Sequence, residues 1–277
     1  MIKKSILCFV ILFGLHFIFV MRNPSLGSAT HQWQDNIIKA QTFLYAEKID
    51  TAMVGTSLSA RIIRDSIPSV KSVSFGGCAV EDGLRIISQK EHLPKYVLVE
   101  TNLFLHEGSE ELVTKQTRGP IPQVRKWIPS LREQYEPICL LASLLLKSGN
   151  VNPQVGSSTV DLNVLNDRIE HHLKEDKTLS ADIAAQRLSS IKSLMEDLET
   201  RGVQFIFFEM PVNDRLYHLK RYEQTRNILK AAFPQDKYLF LPSDTTKYLT
   251  TDGEHLDYMG QQVFSHYFKE LLSHRNF

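Results

Sequence analysis

The sequence is poor in cysteine, glycine and proline, and its charges nearly cancel. Its 277 residues include three cysteines, 13 glycines and 11 prolines, whereas 43% are hydrophobic. So few glycines and prolines beside so many apolar residues exclude a disordered chain and favour one domain with a large core. The 32 basic and 31 acidic residues give a formal net charge of +1. No overall field attracts nucleic acid, and we expect no such partner.

Metal-ligand patterns are also missing. The sequence has neither two close cysteine pairs nor a His-Glu-x-x-His run, and the adjacent His171 and His172 point to different sides of a helix. We expect no metal and no cofactor. Cys8 falls in an apolar N-terminal segment. Cys78 and Cys139 are therefore the only cysteines that can pair in a compartment that permits disulfides, and the alternative is two free buried thiols.

One long hydrophobic run is present, from Ile6 to Met21 after two lysines. As a helix it falls slightly short of a ~30 Å hydrocarbon core, but snorkelling flanks can complete the span. The lysines favour a cytoplasmic N-terminus, which places the rest of the chain outside the cytoplasm. A cleaved signal peptide is the alternative, since small residues follow at 27–29. We interpret residues 1–22 as an uncleaved single-pass anchor in the inner membrane, followed by a stalk or first helix at 23–50.

After residue 50, short β-rich runs alternate with helical sequence. Most of the runs are too apolar for half-exposed strands, which is typical of a parallel sheet covered by helices. We predict an α/β fold over residues 51–277, a three-layer α/β/α sandwich with a central, mostly parallel five-stranded sheet. The predicted strands are Thr51–Gly55, Val70–Phe75, Tyr96–Thr101, Val203–Glu209 and Lys237–Leu241. The predicted helices are His31–Ile49, Leu58–Ser66, Val80–Gln89, Leu131–Lys147, Leu162–Glu175, Ser180–Arg201, Arg215–Phe233 and Tyr258–Ser273.

Polar residues follow the first three predicted strands, at the sheet edge where ligands bind in open parallel sheets. Ser57 follows the first strand, Gly77 the second and Asn102 the third, whereas Asp252 and His255 precede the last helix. A hydroxyl needs a base to lose its proton, and the base needs an orienting carboxylate. These residue types in this order predict a nucleophilic acyl-transfer site.

The same order resembles the SGNH or GDSL hydrolases. Their pattern is a Gly-Asp-Ser-Leu-like turn after the first strand, a glycine after the second, an asparagine after the third, and Asp-x-x-His before a C-terminal helix. The resemblance covers residues 51–102 and 203–277 and implies a flavodoxin-like fold. It implies that Ser57 is the nucleophile, that His255 is its general base and that Asp252 orients the imidazole.

The resemblance also implies an oxyanion hole made by the backbone N–H groups of Ser57 and Gly77 and the side chain of Asn102. Two positions depart from the family pattern. Thr56 stands where the family has an aspartate, and Glu100 stands where it has a glycine. Glu100 either crowds the site and adds a charge to it, or points away from it.

Two further segments are candidates for binding the substrate. Glu209 and Asn213 lie just beyond the fourth strand, in a loop that can line the site. Residues 103–178 form an insertion longer than a crossover helix needs, and prolines interrupt its first half. We expect either a cap over the active site or surface structure. The apolar and aromatic residues at 127–135 favour docking onto the body of the protein or the membrane.

An anchored domain of this family outside the cytoplasm resembles the partners of membrane-bound O-acyltransferases, such as the alginate O-acetylation proteins and the D-alanylation protein of teichoic acid synthesis. That resemblance implies that an acyl group, with acetyl as the expected one, passes from a donor through an ester on Ser57 to a hydroxyl of an envelope polysaccharide. A multi-pass O-acyltransferase would be a further partner. The alternatives are an esterase of polysaccharide or lipid esters and a catalytically degenerate glycan-binding or scaffold protein.

Overall fold

A parallel five-stranded sheet forms the centre of the fold. The structure is a computed structural model and describes residues 2–63, 66–149, 160–244 and 246–275. The strands are β1 (Thr51–Gly55), β2 (Val70–Ser74), β3 (Tyr96–Glu100), β4 (Gln204–Phe208) and β5 (Leu239–Phe240). They are arranged in the order β2-β1-β3-β4-β5, and every pairing is parallel. This is the strand order of flavodoxin-like sheets, and the predicted α/β fold is confirmed.

Helices cover both faces of the sheet and also form the N-terminal segment. They are α1 (Ile2–Arg22), α2 (Gln32–Tyr45), α3 (Val80–Ser88), α4 (Glu110–Thr117), α5 (Pro120–Trp127), α6 (Pro137–Gly149), α7 (Leu162–Lys174), α8 (Ala181–Thr200), α9 (Lys220–Ala232) and α10 (Tyr258–Ser273). Because side chains alternate along a strand, the two layers receive different residues. Val54 and Val99 pack in the cluster that includes side chains of α2, α3, α8 and α9, whereas Met53 and Leu98 pack in the cluster that includes α10.

Several predicted helix bounds are wrong. The helix predicted at Leu58–Ser66 is only a 3₁₀ turn at Ser59–Arg61 in the described residues. Two of its amides bond to distant side chains instead of helix carbonyls, since Glu100 accepts from Ser59 N and the Ser265 hydroxyl accepts from Ile63 N. The helix that contains Pro137 begins at that proline instead of at Leu131, because proline fits the first turn, where the missing N–H is no loss.

The first half of the insertion lies beside α1 and α2. Helix α1 has 21 residues, is apolar, and is long enough to cross a membrane. Most of its side chains are exposed, but Phe13, His16 and Phe17 are partly buried, and buried Val20 clusters with Leu26, Tyr135 and Leu140. The ring of His16 also bonds to the carbonyl of Ser130 at 3.2 Å. The residues around Tyr135 therefore dock onto α1, whereas α7, from the second half of the insertion, packs elsewhere.

The two cysteines outside α1 do not pair. Cys78 and Cys139 are both buried and free. Burial raises the pKa of the Cys78 thiol to about 12 and that of the Cys139 thiol to about 11. Both thiols are therefore protonated at neutral pH, and neither is a nucleophile.

Candidate active site

Three side chains form a hydrogen-bonded chain at the carboxyl edge of the sheet. Ser57 Oγ lies 2.8 Å from His255 Nε2, and His255 Nδ1 lies 2.7 Å from Asp252 Oδ2. When the imidazole is neutral with its proton on Nδ1, the Ser57 hydroxyl donates to Nε2 and Nδ1–H donates to the carboxylate. The contact between Ser57 and His255 joins residues 198 positions apart in the sequence. Folding therefore brings together the three residues that the sequence predicts to act as one unit.

The loop that holds Asp252 also keeps this carboxylate charged. Its Oδ1 accepts hydrogen bonds from the backbone N–H groups of His255 at 2.8 Å and Glu254 at 3.1 Å. Partial burial raises the pKa of Asp252, but the hydrogen bonds from the His255 ring and from these two amides outweigh it and hold the pKa well below its ordinary value. The carboxylate is thus ionised at neutral pH and can orient an imidazole and stabilise an imidazolium.

The same loop is closed by its own backbone and tied to the rest of the domain. Thr251 N donates to His255 O at 2.8 Å, and Asn213 N donates to Gly253 O at 2.8 Å. Asp257 then caps α10, because its side chain accepts from Gly260 N at 2.7 Å. The backbone of His255, just before α10, is therefore fixed by hydrogen bonds in the loop before it and in the helix cap after it.

Glu100 lies beneath the turn that carries Ser57 and points away from the reacting groups. Its carboxylate is fully buried and accepts four hydrogen bonds, from the backbone N–H and the hydroxyl of both Thr56 and Ser59, at 2.6 to 3.0 Å. A Cβ on Gly55 would lie 2.5 Å from Glu100 Oε2, so this close approach requires glycine. Of the two expected placements of Glu100, the structure shows the second, in which it supports the turn.

Removing the Glu100 carboxylate is expected to destabilise the fold. Glu100→Ala leaves two buried backbone N–H groups without an acceptor, at about 1 to 3 kcal/mol each. Glu100→Gln is expected to cost less, because the Thr56 hydroxyl can turn and accept from the new amide. Unfolding in urea measures both. Glu107→Ala, which removes an exposed partner of Arg187, is the control and should change stability by less than ~0.5 kcal/mol. Equal stability of Glu100→Ala and Glu107→Ala would contradict this role.

The backbone after β2 identifies which glycine can donate to an oxyanion. The Asn36 side chain accepts from Gly76 N at 3.0 Å and donates to Gly76 O at 2.8 Å, so the Gly76 amide is occupied. Gly77 has φ +71°, and within the described part of the chain its N–H and that of Ser57 have no acceptor. These two N–H groups are available for a ligand, and their donation to an oxyanion stays a prediction.

Asn102 has an additional structural role. Its side-chain oxygen accepts from Met210 N at 2.7 Å, and its Nδ2 donates to Met210 O at 2.9 Å. This pair of bonds extends the contact between β3 and β4 beyond the last strand residues. Since Nδ2 carries two protons, one remains for an oxyanion. The predicted role of Asn102 as a donor therefore stays a prediction, with its side chain rigidly oriented.

The two residues predicted to bind substrate take part in other contacts. Arg226 donates to Glu209 Oε1 from Nε at 3.0 Å and from Nη2 at 2.5 Å, and the Ser243 hydroxyl also donates to Glu209. The Asn213 side chain accepts from Arg215 N at 3.1 Å, while its backbone holds the catalytic loop. Substrate binding by Glu209 and Asn213 stays a prediction.

A partly buried charged cluster beside the loop that holds Asp252 was not predicted. Glu254, the neighbour of His255, accepts from Tyr222 OH at 2.5 Å and from Arg221 at 2.7 Å. Arg221 also contacts the ring of His172 on α7 at 3.1 Å. The cluster joins α7 and α9 to the loop. No spacing in the sequence indicates it, because its members are contributed by three separate segments.

The chemistry available at this site is that of an activated serine. A neutral imidazole accepts the hydroxyl proton, an ionised carboxylate orients that imidazole, and two free backbone N–H groups follow β1 and β2. Comparison with known protein families, curated proteins and solved structures finds no match to this chain. The contacts of Ser57, His255 and Asp252 therefore carry the functional interpretation.

Proposed function

We propose that this protein is a serine-dependent acyltransferase that moves an acyl group, acetyl in the simplest case, to a hydroxyl of a cell-envelope polysaccharide. The hydrogen-bond chain from Ser57 through His255 to Asp252 carries the proposal, because a base and an orienting carboxylate are what a serine hydroxyl needs to become a nucleophile. The order of the polar segments and the flavodoxin-like strand order support membership of the SGNH hydrolases.

In the first half-reaction, Ser57 Oγ attacks the carbonyl carbon of the acyl donor while His255 Nε2 takes its proton. Negative charge develops on the carbonyl oxygen, where the N–H groups of Ser57 and Gly77 and the side chain of Asn102 would donate to it. The intermediate then collapses, the bond to the leaving group breaks, and the imidazolium returns the proton to that group. Asp252 stabilises the imidazolium and stays ionised throughout.

In the second half-reaction, His255 takes the proton of an acceptor hydroxyl, which attacks the ester carbon on Ser57. Collapse releases the new ester, and the proton returns to Ser57 Oγ. A sugar hydroxyl as the acceptor gives O-acylation, whereas water gives hydrolysis. The same site therefore serves an esterase if water reaches the acyl-enzyme first, and exclusion of water decides between the two outcomes.

The location of the domain follows from α1. In the proposal α1 is an uncleaved anchor in the inner membrane, and Lys3 and Lys4 keep its N-terminus in the cytoplasm. The catalytic domain then faces the periplasm, where polysaccharide hydroxyls are present and acyl-coenzyme donors are not. A multi-pass membrane O-acyltransferase would deliver the acyl group to Ser57.

The proposal is tested by incubating the full chain with an acetyl-ester donor and an envelope oligosaccharide, followed by mass spectrometry. We expect an acetyl group on Ser57 in the absence of acceptor and an acetylated oligosaccharide in its presence. Free acetate with no acetylated sugar would identify an esterase. Absence of both products, and of fluorophosphonate labelling under conditions that label a control hydrolase, would favour a glycan-binding or scaffold protein.

Gly77 and Gly202 provide a matched test of the oxyanion hole. Both have positive φ, at +71° and +91°, and at both a Cβ would meet no atom within 4 Å. Alanine at either position should cost about 1 kcal/mol of stability, because the positive φ is unfavourable for a side chain. Gly202 lies before β4, at the opposite edge of the sheet from the site.

Only Gly77→Ala is expected to slow ester turnover, by about tenfold or more, because relief of the strain reorients the N–H that faces the developing charge. Steady-state hydrolysis of a p-nitrophenyl ester and thermal unfolding measure the two effects. Equal turnover in Gly77→Ala and Gly202→Ala at equal stability would exclude Gly77 from the oxyanion hole.

A further inference from the structure

Helices α5 and α6 and the turn between them expose large apolar side chains, which we call the apolar face. Its members are Ile121, Val124, Trp127, Leu131, Ile138, Leu141, Leu144 and Leu145. The most exposed of them is Trp127, at 79%. Large side chains of this kind grouped on neighbouring helices are unusual for a surface in contact with water and indicate contact with a membrane or another protein.

Helix α6 is apolar on its outer side as well as on the side that it buries. Its exposed side chains at 138, 141, 144 and 145 recur every three or four residues and thus form one stripe. On the opposite side, the buried residues include Ser143 and Cys139. Between Pro137 and Leu145, the part of α6 whose side chains are described, the outward stripe contains no charged residue. A nonpolar environment is therefore needed on the outer side of this helix.

The apolar face adjoins the part of α1 that would lie in the bilayer. The ring of His16 bonds to Ser130 O, and Ser28 N donates to Cys139 O at 3.1 Å. His16 lies five residues before Met21, the last residue of the apolar run, which corresponds to about 8 Å along the helix. If α1 spans the membrane, Ser130 is at or below the outer boundary of the hydrocarbon core. The neighbouring apolar side chains are then at the depth of the lipid interface.

Charges around the apolar face favour anionic lipid over a protein partner. Residues 118–145 contain four basic and two acidic residues. One of the acidic residues, Glu133, contacts other side chains of the protein: its carboxylate accepts a hydrogen bond from Gln34 at 3.2 Å and lies 3.9 Å from Arg125. Lys126 is exposed beside Trp127. Tryptophan and lysine next to each other at the rim of an apolar surface are typical of a membrane–water interface.

We propose that the apolar face docks into the extracytoplasmic leaflet of the membrane that α1 spans, with Trp127 and Lys126 at the level of the lipid headgroups. The catalytic domain is then held at two places, by α1 and by α5–α6, and cannot rotate freely about α1. This inference rests on the proposed anchoring by α1 and is independent of the proposed acyl chemistry.

The two tryptophans of the chain allow a direct test. Trp33→Phe leaves Trp127 as the only fluorophore, and Trp127→Phe leaves Trp33, which packs partly buried on α2 beside the core. Each full-length variant is reconstituted into vesicles of phosphatidylcholine and phosphatidylglycerol, in which the phosphatidylcholine is brominated near the headgroup end of its acyl chains. We expect strong quenching of Trp127 and little quenching of Trp33. A third variant, Leu141→Trp without the native tryptophans, should be quenched like Trp127.

Insertion of α1 is measured separately, by resistance of the protein to alkaline extraction from the same vesicles. The proposal is overturned if the protein is inserted but its Trp127 and Leu141→Trp probes are quenched no more than Trp33. These vesicles contain no other protein that could cover the face. That result would point to a protein partner as the occupant. Extraction of the protein at alkaline pH would refute the anchor, and the docking inference would fail with it. Ester hydrolysis in detergent reports on the active site independently of both outcomes.

Discussion

Ser57→Ala is expected to reduce turnover by about 10⁴- to 10⁶-fold and to abolish labelling by a fluorophosphonate, because no other hydroxyl is bonded to the catalytic imidazole in the described residues. His255→Ala should reduce labelling strongly, since the hydroxyl then has no base. Turnover is measured with a p-nitrophenyl ester, and labelling by gel fluorescence and peptide mapping. The label should map to Ser57 in the wild-type protein.

Ser273→Ala is the matched control for this substitution. Ser273 is exposed at the C-terminal end of α10, where its hydroxyl donates to Glu270 O at 2.8 Å. Its removal should leave labelling and turnover unchanged. Full labelling of Ser57→Ala, with the label on another residue, would refute the assignment of Ser57 as the nucleophile.

Asp252→Asn is expected to lower turnover by about 10⁴-fold while the protein folds normally. The loss is expected because the two carboxylate oxygens of Asp252 have different partners. Oδ1 is held as an acceptor by the backbone N–H groups of Glu254 and His255, so the asparagine oxygen should take that position. The amide nitrogen then replaces Oδ2 and donates to His255 Nδ1. The ring must then carry its proton on Nε2, so Nε2 can no longer accept a hydrogen bond from the Ser57 hydroxyl.

The same variant should alter how stability depends on pH. Because the pKa of Asp252 is held below its usual value of 3.8, its ionised form stabilises the fold above that pH. This stabilisation is lost as the pH falls from about 4 toward the depressed pKa of the folded protein. The difference in unfolding free energy between wild type and Asp252→Asn should therefore shrink progressively as the pH falls below about 5 toward the depressed pKa of the folded protein, as measured by urea unfolding.

Asp197→Asn serves as the control for both measurements. Asp197 is an exposed acid on α8 that pairs with Arg201 at 3.4 Å. Its substitution should leave turnover unchanged and give a small stability difference at every pH. Normal turnover in Asp252→Asn, or a stability difference that does not depend on pH, would contradict the role assigned to this carboxylate.

Much of the sheet could be predicted from the sequence, because parallel strands buried on both faces leave short, continuous apolar runs. β1 is at the predicted bounds, and α10 also begins and ends as predicted. The turn after Ser57 could not be predicted in the same way. Its residues have helical character, but Glu100 and Ser265, which are distant in sequence, accept the amide protons of Ser59 and Ile63. Tertiary hydrogen bonds outweigh local preference there.

In the candidate site, too, some features follow from local sequence and others from tertiary contacts. Local sequence alone determined the pairing of Asp252 with His255, since both lie in one short loop, and it determined the strand ends at which Ser57, Gly77 and Asn102 occur. Only the tertiary structure decided that the Glu100 carboxylate supports the turn that carries Ser57. It also decided that the Asn36 side chain pairs with the backbone of Gly76, and that Arg221 and Tyr222 donate to Glu254. The physical reason is that the spacing of a strand fixes which face a residue is on, whereas a buried polar group takes its partner from whichever segment folding brings within about 3 Å.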